Sequence, residues 1–121
     1  MKNLPYNRAD RVAKQIYQIV SSYICERVDD KRLTGLQITS ARMPKDLSLV
    51  RIYFYVEGGK EKQEIVLKAL ESIKYELRNH IGREVVLKSL PKIEFLVDDG
   101  IENAERIDKI LRNINNIEGK A

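Results

Sequence analysis

The chain has 121 residues, 43% of them hydrophobic and 33% charged, a composition that fits one globular domain rather than a disordered polypeptide. Its single cysteine, Cys25, rules out an intramolecular disulfide and suits a reducing compartment, and its longest apolar run, Ile52 to Val56, is far too short for a membrane span. The net charge of +4 is uneven, since residues 1–60 carry 11 Lys and Arg against 6 Asp and Glu, which favours a polyanionic partner.

Met1-Lys2-Asn3-Leu4-Pro5 lacks the apolar core of a signal peptide, so a cytoplasmic location is expected. From Arg8 to Arg27, Val12, Ile16, Ile19, Val20, Tyr23 and Ile24 recur at helical spacing and make one apolar face. Asn7 is placed to cap that helix, and Asp10 in its first turn suits the helix dipole. Arg11, Lys14, Gln18 and Cys25 fall on the opposite, solvent-facing side. A strand is predicted over Leu36 to Arg42 and another over Leu49 to Val56, where Val50, Ile52, Phe54 and Val56 alternate with Leu49, Arg51, Tyr53 and Tyr55. Pro44-Lys45-Asp46 reads as the turn of a hairpin, which Gly58-Gly59 ends.

Lys60 to about Gly82 is helical again, with Val66, Ala69, Leu70, Ile73, Leu77 and Ile81 on one face and nothing to break it before Gly82. A third strand is predicted over Lys92 to Val97, with Ile93, Phe95 and Val97 inward and Pro91 at its start. Asp99-Gly100-Ile101-Glu102 resembles a capping box opening a last helix to about Ile114, followed by a frayed tail. The element order describes a two-layer α+β domain over residues 1–99, with 100–121 as a C-terminal helix and tail. One sheet face packs on helices and the other is left for water or a ligand.

Enzymatic chemistry finds no support. One cysteine and one histidine do not make a zinc site, and His80 lies on the apolar side of its helix without a nucleophile at suggestive spacing. Asp98-Asp99 is explained by a strand-end turn and helix cap, and Gly58-Gly59-Lys60 is too short to cradle phosphates. No metal or cofactor is expected. The features that favour nucleic acid are Arg8, Arg11 and Lys14 within two turns of one helix, a stripe able to neutralise phosphates. An ordinary solvated helix face explains that stripe equally well. Lys31-Arg32, Arg42 and Lys45 add charge around the first strand and its turn, and Arg78, Arg83, Lys88 and Lys92 form a looser set diluted by Glu76 and Glu84. Tyr53 and Tyr55 share a strand face with Arg51, where cross-strand packing competes with base stacking as their use.

Four stretches in order give the chain a resemblance to the ribosome-binding factor A family, covering about Arg8 to Leu111. They are Arg8-Ala9-Asp10-Arg11-Val12, then Lys45-Asp46-Leu47-Ser48 feeding the second strand, then Leu90-Pro91-Lys92-Ile93-Glu94-Phe95 with Asp98, and finally Glu105-Arg106-Ile107-Asp108-Lys109-Ile110-Leu111. The resemblance implies a type II KH-like domain of order helix-strand-strand-helix-kink-helix-strand. It also implies a non-enzymatic factor that binds the small ribosomal subunit and its rRNA, supports late rRNA processing and matters most in the cold. Its RNA-facing positions would be Arg8, Arg11, Lys45, Arg78, Arg83 and Lys88; Lys14 joins them from the stripe on the first helix. A monomer that needs no membrane is expected. Two features depart from the family pattern. The Ala-x-Gly kink corresponds here to Ile73-Lys74-Tyr75, with no small residue, and Asp29-Asp30-Lys31-Arg32 stands where Asp-Pro-Arg is usual. A different class of function, a protein–protein module using the open sheet face, fits the same composition.

Overall fold

The structure, a computed structural model, describes residues 7–100. Helix α1 spans Arg8–Arg27. A reciprocal capping box fixes its start: the Asp10 N–H donates to Asn7 Oδ1 at 2.8 Å, and the Asn7 N–H donates to Asp10 Oδ2 at 3.4 Å. Ala9, Val12, Ala13, Ile16 and Val20 are buried along one side, and Ile19, Tyr23 and Ile24 border the same core. Cys25 faces out, as the helical wheel predicts.

A short 3-10 turn, Lys31–Leu33, buries Leu33 and leads into strand β1, Gln37–Arg42. Strand β2, Leu49–Tyr55, pairs antiparallel with β1, and β3, Lys92–Val97, pairs parallel with β2, giving the sheet order β1-β2-β3. The central strand shows the predicted alternation: Val50, Ile52 and Phe54 are fully buried, while Arg51 is exposed. Ile38, Ile93 and Phe95 join them on the inward face. Arg51, Lys92 and Glu94 stay exposed on the outward face.

Helix α2 spans Gly59–Glu84. Gly58 and Gly59, at φ of 119° and 72°, turn the chain out of the hairpin through a backbone that side chains disfavour. Val66, Ala69, Leu70, Leu77 and Ile81 form its buried stripe, so both helices cover the same sheet face. Where the resemblance implies two helices about a kink, α2 is one 26-residue helical run. Ile73, Lys74 and Tyr75 keep their backbone N–H groups and offer no small residue at which the helix would break. Beside them the Ser72 Oγ donates back to the Ala69 carbonyl at 2.6 Å.

The helix also passes Gly82, the expected stop. Gly82 serves packing instead: a Cβ there would lie 2.6 Å from Leu90 Cδ2, so its bare α-carbon lets the following loop fold against the helix. The run ends at Val85, extended and buried, whose N–H donates to the Ile81 carbonyl at 2.9 Å. At the end of β3 the Gly100 N–H donates to Asp98 Oδ1 at 3.0 Å. The helix expected beyond residue 100 lies outside the described residues.

Phe54 is the largest fully buried side chain. Phe54→Ala is expected to lower unfolding free energy by about 3–5 kcal/mol, read by urea denaturation.

Candidate nucleic-acid interface

Three chain segments far apart in sequence meet at one end of the domain. Helix α1 runs antiparallel to β1: Asp10, Ala13 and Lys14 border a groove with Thr39 to Met43, whereas Ile24, Cys25 and Val28 border Leu33 and Leu36. The N-terminal turns of α1 therefore lie beside the β1–β2 turn. The last turn of α2 comes back to the same place, where Glu84, Val85 and Val86 form a second groove with Arg8, Arg11 and Val12. Strand β3 starts there too, since Lys92 pairs with Leu49 and its N–H donates to the Ser48 carbonyl at 3.0 Å.

Arg8, Arg11 and Lys14 border these grooves, while Lys45 lies in the β1–β2 turn, Arg83 in the last turn of α2 and Lys88 in the loop before β3; all six are exposed. None of the six pairs with an acidic side chain among the described residues. The first turns of α1 form a ridge between the two grooves, with Lys14 on one side and Arg8 and Arg11 on the other. Cations at a helix N-terminus work against the dipole by about 0.3–1 kcal/mol each, so helix stability does not explain Arg8 and Arg11. The same dipole adds to their attraction for an anion.

Lys45 is presented by a built turn. The Leu47 N–H donates to the Pro44 carbonyl at 3.0 Å, and Asp46 Oδ1 accepts from the Ser48 N–H at 3.0 Å and the Ser48 hydroxyl at 2.7 Å. Those bonds hold the Asp46 carboxyl below its usual pKa, its charge committed to the turn. Leu47 sits at φ 59°, a left-handed backbone uncommon for leucine, while its side chain packs against the core. Lys45 is left outward.

Arg78 differs from the other predicted positions. It is half-buried, and its guanidinium donates to two backbone carbonyls, from Nε to Pro91 at 3.0 Å and from Nη2 to Leu90 at 3.1 Å. Its role in the structure is to tie α2 to the loop before β3. Arg32 is occupied as well: it bonds Asp30 at 2.6 Å, which lowers the Asp30 pKa and raises that of Arg32. It also lies at the far end of the domain, where Lys62 Nζ donates to the Arg32 carbonyl at 3.1 Å. Arg51 pairs with Glu94 at 3.1 Å across the β2–β3 register.

Arg42, the last residue of β1 and already marked by its charge beside the turn, lines the first groove together with Lys14. Val86 sits 96% exposed on the lip of the second, and nothing in the local sequence marks it. His80 belongs to neither groove's cationic wall. It stacks against Tyr23 with ring centroids 4.9 Å apart, 3.9 Å from Glu84 Oε1, at the α1–α2 boundary. No group of three or more His, Cys, Asp or Glu able to hold a metal occurs among the described residues, and no described helix is long and apolar enough to cross a membrane.

The sequence profile of a family described as ribosome-binding factor A matches residues 8–111. Ribosome-binding factor A of Desulfatibacillum aliphaticivorans is 35% identical over 107 residues, 88% of this chain and 87% of the relative. The crystal structure of ribosome-binding factor A from Thermus thermophilus superposes with a TM-score of 0.64 at 26% identity, covering 74% of this chain and 93% of that one. A homology model of the Thermus thermophilus factor, fitted into a cryo-electron-microscopy map of its 30S complex, superposes at 0.62 with 26% identity, over 77% of this chain and 97% of that one.

Arg78→Ala is expected to destabilise the fold by about 1–3 kcal/mol through its two orphaned carbonyls, whereas Arg8→Ala and Arg11→Ala leave stability within about 0.5 kcal/mol. Chemical denaturation of the three variants side by side checks the distinction.

Proposed function

Because the chain belongs to the ribosome-binding factor A family, we propose that it docks on the small ribosomal subunit and binds folded rRNA there, without catalysing a reaction, during subunit maturation and late rRNA processing. The observation that carries this reading is a set of exposed cations, without acidic partners among the described residues, on three chain segments that meet at one end of the domain. A folded RNA presents phosphates at fixed spacing, and cations held at fixed positions bind them while releasing counterions. The 30S complex of the Thermus thermophilus relative supplies the partner by likeness.

The chain acts in the cytoplasm as a monomer, with residues 1–99 as the binding unit and 100–121 as an appendage. Demand for it is greatest in the cold, when misfolded rRNA rearranges slowly. Arg8, Arg11, Lys14, Lys45, Arg83 and Lys88 make the phosphate contacts. Arg78 contributes at most through the part of its guanidinium that the Leu90 and Pro91 carbonyls leave unused.

Association with purified small subunits is expected to fall steeply with salt. The double variant Arg8→Ala/Arg11→Ala should bind more weakly, with the slope of log affinity against log salt reduced by about two. Co-sedimentation unchanged by the double substitution would remove this contact face from the proposal.

One observation favours a second reading, a protein-binding sheet face: half-buried Tyr53 and Leu96 lie side by side on the outward face, next to the Arg51–Glu94 pair. Ribonuclease treatment separates the two. Partners captured through RNA are lost, and partners captured through that face remain.

A further inference from the structure

The second groove carries more than charge. Its lip is Val86, 96% exposed, and that exposure is imposed by its neighbours. Val85 before it is 5% exposed and closes α2 through its N–H, and Leu87 after it packs against the core. With both flanking side chains anchored inward, Val86 is held outward as a fixed apolar contact. Across the groove stand Arg8 and Arg11, and Glu84, its side chain 54% exposed, lines it as well, with Oε1 3.9 Å from His80 Nε2. The groove is open to solvent and offers about 570 Å³.

We infer that this groove, with Arg8 and Arg11 on one wall and Val86 on the other, seats a single unpaired nucleotide of the rRNA. The inference rests on the rRNA-binding reading above and goes beyond phosphate contact. A cationic wall, an apolar lip and one carboxyl acceptor match the three parts of a nucleotide. The guanidiniums take the phosphate, Val86 lies against the face of the base, and Glu84 accepts from the ribose 2′-hydroxyl or an exocyclic amine. Paired nucleotides keep their faces stacked inside the helix, so only a bulged, looped or terminal one presents a face to Val86. An acidic peptide satisfies the guanidiniums but has no flat base face to lay against Val86.

The test uses the full chain with purified small subunits, reading affinity across a salt series and dimethyl sulfate reactivity of unpaired rRNA bases. Wild type is expected to protect at least one such base. Val86→Ser should lose that protection and bind roughly tenfold more weakly at every salt concentration, with the salt slope unchanged, as loss of an apolar contact requires. Val86→Leu should keep both, and neither change disturbs a side chain that is already in water. Wild-type affinity and protection in Val86→Ser would overturn the nucleotide site while leaving the phosphate reading intact. Weakened binding by Val86→Ser, with no base protected by wild type, would also overturn it and assign the valine to a protein surface. Salt-independent or absent association of wild type would sink the rRNA reading itself.

Discussion

The inward face of β2 packed under the two helices is the contact on which everything else is built. Val50, Ile52 and Phe54 are wholly removed from water against Val66, Leu70, Leu77 and Ile81 of α2 and Ile16 and Val20 of α1. Because β2 is hydrogen-bonded on both edges, its position fixes those of β1 and β3. A slip of one residue would turn Ile52 and Phe54 to solvent and bring Arg51 and Tyr53 into the core, a cost no surface interaction offsets. The locked register is what sets the turn carrying Lys45 beside the start of β3. Rigidity at the cationic end is thus inherited from the core.

The arginines show how one side chain serves different ends according to what surrounds it. Arg78 donates to the Leu90 and Pro91 carbonyls, Arg51 to Glu94 and Arg32 to Asp30, so these three are already occupied within the fold. Arg8 and Arg11 have no such partner among the described residues and stand at the helix end where the dipole least favours them. Charge placed against local stability and left unpaired is more simply explained by an external anion than by folding. Net charge alone carries no such information, because paired and unpaired cations count alike.

The Lys45-Asp46-Leu47-Ser48 segment has a physical content that its use as a sequence signature hides. Asp46 closes the turn through Ser48, Leu47 accepts a left-handed backbone while its side chain reaches the core, and Lys45 is left pointing outward. The only cation of the segment is thereby displayed on a turn that is bonded from within. On the other side of the site, the missing side chain of Gly82 leaves room for the Leu90 side chain against α2.

Periodicity by itself determined the elements: the apolar spacing of α1 and α2 and the alternation of β2 left no other assignment, because each buries one face and only one period suits it. The end of α2 was not legible in that way. A glycine inside a helix reads as a stop unless one knows that Leu90 needs the space beside it, and that is a contact between distant residues. The cationic site was legible as residue types and not as a site. Arg78 and Arg83 look equivalent along the chain, and only the closure of the loop after α2 gave Arg78 two carbonyls to hold. Val86 looked like any loop valine, because its exposure is decided by Val85 and Leu87 being anchored on either side of it. Sequence specifies local period and charge, whereas which charges stand together and which are already occupied depends on distant segments meeting, and that was settled by tertiary packing alone.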